Sequence, residues 1–239
     1  MVLKGGKLYQ DVPVGIICLE SQFAKPKGHL RNHYTFNFPT VHKVLKNIDI
    51  PRLLFNPTPD LLEPFIQAAK DLEAEGVKAI TGSCGFMARF QPELAAAVNI
   101  PVLVSSLLQV PLVRTMHGVD ANIGVLTASN KALTEAHFNG VHSDINHVVI
   151  KGMEGYDYFW DTIIEGKNND IDLDRMEKEI CDAAEVLAKE NNLDALILEC
   201  TDLPAFSHAV HKRVGLPVYD INALIEYAAF CVRRPDYRK

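Results

Sequence analysis

The sequence lacks the features of several common functional classes. No apolar stretch approaches the roughly 18–20 residues that cross a bilayer, so no membrane partner is expected. Residues 1–11 are polar and glycine-rich, without the apolar segment of a secretion signal, which predicts a cytoplasmic protein. Acidic residues outnumber basic ones by 30 to 24, which argues against a nucleic-acid partner, because that surface needs clustered Lys and Arg.

Motifs that hold cofactors are absent as well. The chain has no Cys-x-x-Cys pair to begin a structural zinc site, and no Gly-x-Gly-x-x-Gly or Walker sequence to hold a nucleotide. Its five cysteines are widely spaced and odd in number, which favours free thiols over a disulfide framework. The one basic run, Lys25 to Arg31, is interpreted first as a solvated loop and otherwise as a place for a small anion.

Short apolar runs alternate with stretches of helical periodicity. Most of the runs are apolar on both faces, as strands of a parallel sheet are when helices cover each side. The predicted strands are Val12–Leu19, Arg52–Phe55, Val77–Gly82, Val102–Ser105, Ile123–Thr127, His147–Ile150, Ala195–Leu198 and Val218–Tyr219. One helix is predicted between Asp60, as its N-cap, and Gly76 at its C-terminal end, and another has its apolar stripe from Met176 to Leu187. The pattern predicts an α/β fold.

The chain repeats part of itself at long range. Gly76–Cys84 resembles Asn192–Cys200, and the Ile-Pro-Val around Pro101 resembles the Leu-Pro-Val around Pro217. The offset is 116 residues at both landmarks, from 84 to 200 and from 101 to 217. A second similarity, between the segments that begin at Gly15 and Gly124, is offset by 109 residues. We interpret the repeat as a duplicated lobe.

The duplication predicts two pseudo-symmetric lobes, each a parallel sheet flanked by helices, with the active site in the cleft between them. The first lobe is expected to comprise 1–116 and 217–239 and the second 117–216. Cys84 and Cys200 each follow a predicted strand, and ligands of open α/β sheets bind beyond the carboxyl ends of strands. A pseudo-twofold axis would therefore place one thiol on each side of a bound molecule.

Two opposed thiols suit the inversion of a stereocentre. One cysteine, as thiolate, removes a proton from the central carbon, and the other, as thiol, returns a proton to the opposite face. A free cysteine has a pKa near 8.5, so we expect the pKa of at least one thiol to be lowered by a helix terminus or a cation. Cys181 and Cys231 are interpreted as structural, and Cys18, at the end of the first strand, mainly as packing.

The two cysteine segments resemble the aspartate/glutamate/hydantoin racemase superfamily, with one cysteine in each lobe. Ser83-Cys84-Gly85-Phe86 stands where the amino-acid racemases have Cys-Asn-Thr, and Glu199-Cys200-Thr201-Asp202 where they have Gly-Cys-Thr-Glu. The order of elements agrees over nearly the whole chain. The long loop after the first strand is similar to that of an uncharacterised branch of aspartate/glutamate racemase-like proteins.

The resemblance implies a cofactor-independent enzyme in which Cys84 and Cys200 are the acid/base pair acting on a small carboxylate. It also implies a set of substrate-binding residues, namely Glu20, Ser21, Ser83, Gly85, Phe86, Thr127, Thr201 and Asp202. Thr201 would bind the carboxylate. Gly85 and Phe86 replace the Asn and Thr of the racemases, so two polar contacts are missing and a bulkier or less polar substrate is allowed.

The expected function is racemisation of an aspartate- or glutamate-like amino acid, or of a derivative such as a hydantoin. Two alternatives stay open. One is an isomerase or decarboxylase of small dicarboxylic acids on the same scaffold, and the other is a bilobal protein that binds a small anion without chemistry. A hydrolase is disfavoured, because Phe86 stands where a nucleophile elbow needs glycine. The sequence leaves open whether the chain forms a homo-oligomer.

Overall fold

The strands form two parallel sheets of four strands each. The computed structural model describes residue 2 and residues 4–238. The strand orders are β2-β1-β3-β4 and β6-β5-β7-β8. The strands are β1 Val14–Glu20, β2 Thr40–Asp49, β3 Ala79–Gly82, β4 Val102–Leu103, β5 Ile123–Thr127, β6 Val148–Gly152, β7 Ala195–Leu198 and β8 Val218–Tyr219. This arrangement confirms the predicted α/β fold with two similar lobes.

Helices flank both sheets. The α-helices are α1 Ile50–Phe55, α2 Leu62–Glu75, α3 Gln91–Ala97, α4 Val110–His117, α5 Glu135–Gly140, α6 Asp157–Phe159, α7 Leu173–Asn191, α8 Ser207–Val214 and α9 Ile221–Val232. The 3₁₀ turns are Pro59–Leu61, Gly85–Phe90, Ser106–Gln109, Ile145–His147 and Pro204–Phe206, and Trp160–Ile164 is a π-helical turn. Within the described part of the chain, no helix has both the length and the apolar character needed to cross a membrane.

The internal repeat is visible strand by strand. β1 and β5 begin 109 residues apart, at 14 and 123, and β3 and β7 begin 116 apart, at 79 and 195. The hydrogen bonds repeat with the same offsets. Ser83 N–H donates to the carbonyl of Ile17 at 2.8 Å, and Glu199 N–H donates to the carbonyl of Leu126 at 2.8 Å. The two lobes therefore share equivalent strands and an equivalent backbone hydrogen bond next to each cysteine.

Equivalent glycines let a helix approach each central strand. A Cβ on Gly15 in β1 would stand 3.0 Å from the side chain of Leu72 on α2, and a Cβ on Gly124 in β5 would stand 3.2 Å from that of Leu187 on α7. Protein interiors are close-packed, so a methyl group at either position would displace the leucine that covers the strand. Because each strand has a glycine at this position, the helix can pack closely against the sheet.

The predicted helices are present, with one correction at a cap. Gly76 ends α2 with φ 113°, the left-handed conformation that glycine adopts without strain. The stripe from Met176 to Leu187 is buried along α7. Asp60 is not an N-cap, because a 3₁₀ turn precedes α2 and the Asp60 carboxylate instead accepts from Arg52 at 3.1 Å.

One strand prediction around residue 50 was wrong, and one strand there was missed. Arg52–Phe55 lies within helix α1, because Pro51 occupies its first turn and the Asp49 carboxylate caps it by accepting from Arg52 N–H at 2.9 Å. The strand β2, Thr40–Asp49, was not predicted. It lies at the edge of its sheet and is largely half-buried or exposed, so it lacks the continuous apolar character of the central strands.

The C-terminal segment of the chain contributes to both lobes. β8 pairs with β7 and so belongs to the second sheet, two residues beyond the expected boundary at 216. Helix α9 then returns to the first lobe, where Ile221 and Ile225 pack in the same cluster as Val14 and Ile16 of β1. The proposed division of the chain into lobes at 116 and 216 stays a prediction.

Candidate active site

The two cysteine segments run past each other in opposite directions. Thr201 Oγ1 donates to the carbonyl of Ser83 at 2.7 Å, and a Cβ on Gly85 would stand 2.4 Å from the carbonyl oxygen of Glu199. Residue 83 therefore lies beside 201 and residue 85 beside 199. The backbones at Cys84 and Cys200 therefore lie next to each other between these two contacts, and the charge of Cys84 is among the causes that raise the pKa of Cys200.

Both thiols are buried, with 8% of Cys84 and 6% of Cys200 exposed. Burial is the largest cause that raises the pKa of each thiol well above its ordinary value. The carboxylates of Glu199 and Asp202 raise both pKa values further. The charge of Cys84 also raises the pKa of Cys200. These causes favour the neutral thiol form of both cysteines.

Backbone N–H groups reach both sulfurs but do not reverse this effect. The N–H of Phe86 lowers the pKa of Cys84, and the N–H of Asp202 lowers that of Cys200. Each donor lies two residues beyond its cysteine, a further trace of the repeat. The expectation that one thiol pKa is lowered overall was wrong, because burial and the two carboxylates outweigh these hydrogen bonds.

Cys200 heads a chain of hydrogen bonds that crosses between the lobes. Its Sγ donates to Asp202 Oδ2 at 3.5 Å, and His29 Nε2 lies 2.8 Å from Asp202 Oδ1. His29 Nδ1 accepts the N–H of Arg31 at 3.0 Å, so the proton of the neutral ring is on Nε2 and is donated to Asp202. Asp202 thus accepts one proton from Cys200 and one from His29.

The basic run after β1 belongs to the site. His29 is 2% exposed, and Arg31 donates to the carbonyl of Leu19 at 3.0 Å and to Ser21 Oγ at 2.9 Å. Burial lowers the pKa of Lys25 to about 8, against the opposing charge of Asp202. The interpretation of this run as a solvated loop was wrong. His29 is buried, and Lys25 lies close enough to Asp202 for the charge of that carboxylate to raise the Lys25 pKa.

Glu199 is a fully buried carboxyl in the cleft. Its Oε2 accepts from Thr127 Oγ1 at 2.7 Å, whereas its Oε1 is buried without a hydrogen-bond partner. A Cβ on Gly85 would stand 2.1 Å from that oxygen. The glycine that replaces the racemase Asn therefore makes room for a carboxyl group from the other lobe. Burial raises the pKa of Glu199 to about 7, although the Thr127 hydrogen bond lowers it.

The remaining predicted binding residues have structural partners. Ser83 Oγ accepts the N–H of Leu19 at 2.9 Å, and the hydroxyl of Thr201 is already donated to the Ser83 carbonyl. Phe86 is buried and meets His137 edge-on, with ring centroids 5.1 Å apart. Glu20 Oε2 accepts the N–H of Asn47 at 2.9 Å. The predicted binding roles of these residues stay proposals.

The other cysteines are separate from the pair. Cys18 is fully buried, and burial raises its pKa to about 11. It occupies the position in β1 that Thr127 occupies in β5, 109 residues later. Cys181 is buried on α7, and Cys231 is exposed near the C-terminus. Among the residues that the structure describes, no group of three or more His, Cys, Asp or Glu side chains is arranged to hold a metal ion.

Sequence reasoning missed His29, Lys25, Arg31 and Glu199 as site residues. The first three were visible as a basic run, but only the fold brings His29 against Asp202 and Lys25 near the same carboxylate. Glu199 was visible as a charged residue between an apolar strand and a catalytic candidate, which is a position where burial is expected. A charged residue at such a position was the available sequence signal for a role in the site.

Comparison with known proteins gives two kinds of similarity. No known family profile matches the chain. It is 29% identical over 220 residues to a dimethylsulfoniopropionate lyase of Durusdinium sp. clade D, covering 87% of this chain and 70% of that protein. It is also 29% identical over 225 residues to dimethylsulfoniopropionate lyase 6 of Emiliania huxleyi, covering 89% of this chain and 58% of that protein. The chain thus spans little more than half of the Emiliania relative.

Solved structures share the fold. Arylmalonate decarboxylase is similar with a TM-score of 0.57 at 15% identity, covering 92% of both chains. Glutamate racemase of Francisella tularensis has a TM-score of 0.57 at 19% identity, covering 93% of this chain and 81% of the other. Aspartate racemase of Picrophilus torridus has a TM-score of 0.56 at 15% identity, covering 92% and 93%.

These comparisons confirm the predicted racemase-like fold and support an enzyme. They do not confirm an isomerase in particular, because the relatives in sequence are named as lyases. They also do not confirm the racemase-like branch to which the long first loop was compared. The decarboxylase among the solved structures shows that the fold is shared by proteins with other reactions.

Proposed function

We propose that the chain is a lyase that removes a proton from the carbon next to a carboxylate and expels a leaving group from the following carbon. Dimethylsulfoniopropionate is the substrate that the similarity to the named lyases favours. The observation that carries the proposal is a pair of buried cysteines on adjacent segments, whose thiol pKa values are raised by the carboxylates of Asp202 and Glu199.

The chemistry needs one base and no cofactor. A thiolate takes a proton from the α carbon, and the electrons of the broken C–H bond form the C=C bond of acrylate. The C–S bond breaks, and its electron pair leaves with sulfur as neutral dimethyl sulfide. The proton released balances the reaction. Because the leaving group is neutral, it needs no acid, and the second cysteine serves to bind and position.

The electrostatics of the site suit a substrate that carries both charges. Asp202 and Glu199 raise the pKa of both thiols, and no cation is among the main causes acting on either sulfur. A sulfonium group bound in the cleft would oppose these carboxylates and favour the thiolate. Lys25 and Arg31, which are partly buried near Cys18, would receive the substrate's carboxylate.

Racemisation is the second candidate, and one observation favours it. The two cysteines occupy equivalent positions, each with the N–H of the residue two places later directed at its sulfur. Such symmetry suits racemisation, in which a proton is removed from one face of the α carbon and another is returned to the opposite face, starting from either enantiomer. The original expectation of an aspartate- or glutamate-like or hydantoin substrate is carried forward in this form.

The test uses the purified chain with dimethylsulfoniopropionate in deuterated water, followed by headspace detection of dimethyl sulfide and NMR of the products. Dimethyl sulfide and acrylate formed together support the lyase. The same chain is incubated with both enantiomers of aspartate and glutamate and with hydantoins. Deuterium at the α carbon with loss of optical rotation, and no volatile product, would replace the lyase with the racemase.

Variants of the two cysteines separate the reactions further. Elimination requires only the cysteine that acts as base, so one of Cys84→Ser and Cys200→Ser should abolish it, while the other retains measurable turnover. Racemisation requires both thiols, so both variants should lose it. Full elimination activity in both single variants would overturn a thiol base.

A further inference from the structure

A cavity of about 510 Å³ lies between the two lobes. One side is formed by residues at the end of α1 and by Arg89, in the turn after β3, and the other by Trp160 and residues that follow β5. Neither Cys84 nor Cys200 lines it, so it is distinct from the cysteine site. Small-molecule pockets have volumes of roughly 300–1,000 Å³, so this cavity is large enough to hold a small molecule.

One wall of the cavity is aromatic and joins the lobes. The ring centroids of Phe55 and Trp160 lie 6.2 Å apart, with an angle of 42° between the ring planes. Phe55 is a large apolar side chain, yet 45% of it is exposed. Trp160 begins a π-helical turn, a rare conformation that is found frequently at functional sites. Together with Leu54 and Pro57, these side chains offer an apolar surface to a ligand.

Two cations line the same cavity, one from each lobe. Among the described residues, neither Arg89 nor Lys131 forms an ion pair with a carboxylate. Glu154 is the one acidic residue of the lining, and its Oε1 accepts from Ser129 Oγ at 2.7 Å and from the N–H of Lys131 at 3.2 Å. That carboxylate is therefore engaged by the loop after β5. Two like charges that share a cavity without an opposite charge favour the binding of an anion.

His137 adds a neutral donor to the lining. The side chain is 3% exposed, and its Nδ1 accepts the N–H of Thr134 at 3.1 Å, which leaves the ring proton on Nε2. Burial lowers the pKa of His137 to about 4, with a contribution from the charge of Arg89, so the ring is neutral at pH 7. No acceptor among the described residues lies within hydrogen-bond distance of Nε2. Buried donors normally have a partner, and an oxygen atom of a bound anion would supply one.

We propose that this cavity binds a small carboxylate with an apolar chain or ring. Arg89, Lys131 and His137 hold the carboxylate, and the apolar part lies against Phe55 and Trp160. The site goes beyond the proposed elimination and does not depend on it, because its residues are separate from both thiols.

A ligand in this cavity would contact both lobes next to a cysteine segment. His137 meets the Phe86 ring edge-on, with centroids 5.1 Å apart, and the N–H of Phe86 lowers the pKa of Cys84. An occupant held by Arg89 from one lobe and by Lys131 from the other would therefore restrain the lobes relative to each other. We expect the carboxylate to act as an effector that stabilises the closed cleft, rather than as a substrate.

Trp160 is the one tryptophan of the chain, so intrinsic fluorescence reports directly on this cavity. The purified protein is titrated with hexanoate, 1-hexanol, hexylamine and acetate. Hexanoate should shift the emission to shorter wavelength and saturate, because its chain replaces water beside the indole. The alcohol and the amine lack the negative charge and acetate lacks the chain, so each should bind at least about tenfold more weakly. Equal shifts with hexanoate and hexylamine would overturn the anion site.

Variants of the two cations test the contacts. Arg89→Gln and Lys131→Gln should each weaken hexanoate binding about tenfold, since each removes a charged donor. Lys131 is exposed, so its substitution should leave the fold intact. Lys151→Gln is the matched control, because it makes the same change of charge on β6 outside this cavity and should leave the affinity unchanged. Unchanged affinity in both Arg89→Gln and Lys131→Gln would refute the proposal.

Two further readouts separate this site from the cysteine cleft and test the effector role. Hexanoate affinity should stay the same in the presence of excess dimethylsulfoniopropionate, whereas displacement would show that the cavity is part of the substrate site. Saturating hexanoate should slow alkylation of Cys84 by iodoacetamide in the wild type, with a smaller effect at the same concentration in Lys131→Gln. An alkylation rate that hexanoate leaves unchanged in the wild type would overturn the effector role.

Discussion

Substituting Gly85 by alanine tests the contact on which the cleft is built. The new Cβ would stand 2.1 Å from Glu199 Oε1 and 2.4 Å from the Glu199 carbonyl oxygen, whereas ordinary contacts begin at 3.4 Å. Turning the carboxyl away relieves the first clash but not the second, so the backbones of the two lobes must separate by about 1 Å. Overpacking of this kind costs roughly 1–3 kcal/mol, which at about 2–4 °C per kcal/mol lowers the Tm by roughly 2–12 °C.

The same displacement should affect activity more than stability. A misplacement of about 1 Å in a reacting group costs about a hundredfold in rate. The assays are thermal unfolding and elimination rate, with Gly5→Ala as the control, because nothing lies within 4 Å of a Cβ there. In a Glu199→Ala background the cost of Gly85→Ala should fall but not vanish, since the carbonyl clash persists. A variant with wild-type Tm and turnover would refute this account of the cleft.

The other predictions concern single side chains. Cys84→Ser and Cys200→Ser should keep their fold by circular dichroism, because each replaces a buried thiol by a group of similar shape. His29→Ala should destabilise the protein by about 1–3 kcal/mol in urea unfolding, because it leaves Asp202 Oδ1 without its donor, and a value near zero would contradict a buried hydrogen bond. Burial lowers the pKa of His137 from 6.5 to about 4, so the unfolded chain takes up a proton first as the pH falls, and stability should be lost between about pH 6.5 and 4. His137→Gln should flatten that part of the stability profile, and an unchanged slope would contradict it.

The fold was predictable where the chain repeats itself. Ile123–Thr127 and Ala195–Leu198 have the predicted bounds, because central strands of a parallel sheet are continuous apolar runs. The short edge strand Val218–Tyr219 also has the predicted bounds. The edge strand β2 was missed for the opposite reason, since its side chains are half in solvent. Arg52–Phe55 has strand-like composition, and only the cap at Asp49 and the proline beside it indicate a helix.

The site was predictable as far as symmetry reaches. The constant offset predicts that Cys84 and Cys200 lie on opposite sides of one cleft, because a twofold relation carries equivalent residues to a common axis, and the structure brings their two backbone segments side by side. The groups that give each thiol its own surroundings break that symmetry. Glu199 stands where the first lobe has Ser83, and His29 comes from a loop that spans 21–39. Pairings of this kind depend on the three-dimensional approach of segments more than 100 residues apart.

The loop 21–39 also connects the two lobes, which bears on how solvent reaches the cleft. It leaves β1, and its Ala24 bonds to Asn169, its Gly28 packs on Ala205 and its His29 bonds to Asp202, so it ties the first lobe to the second at three points. Hinge opening of the lobes would stretch all three ties at once. Peeling the loop away breaks them one after another and leaves both sheets in place. We therefore expect the thiols to become accessible when this loop detaches from the second lobe one contact at a time, rather than when the two lobes move apart.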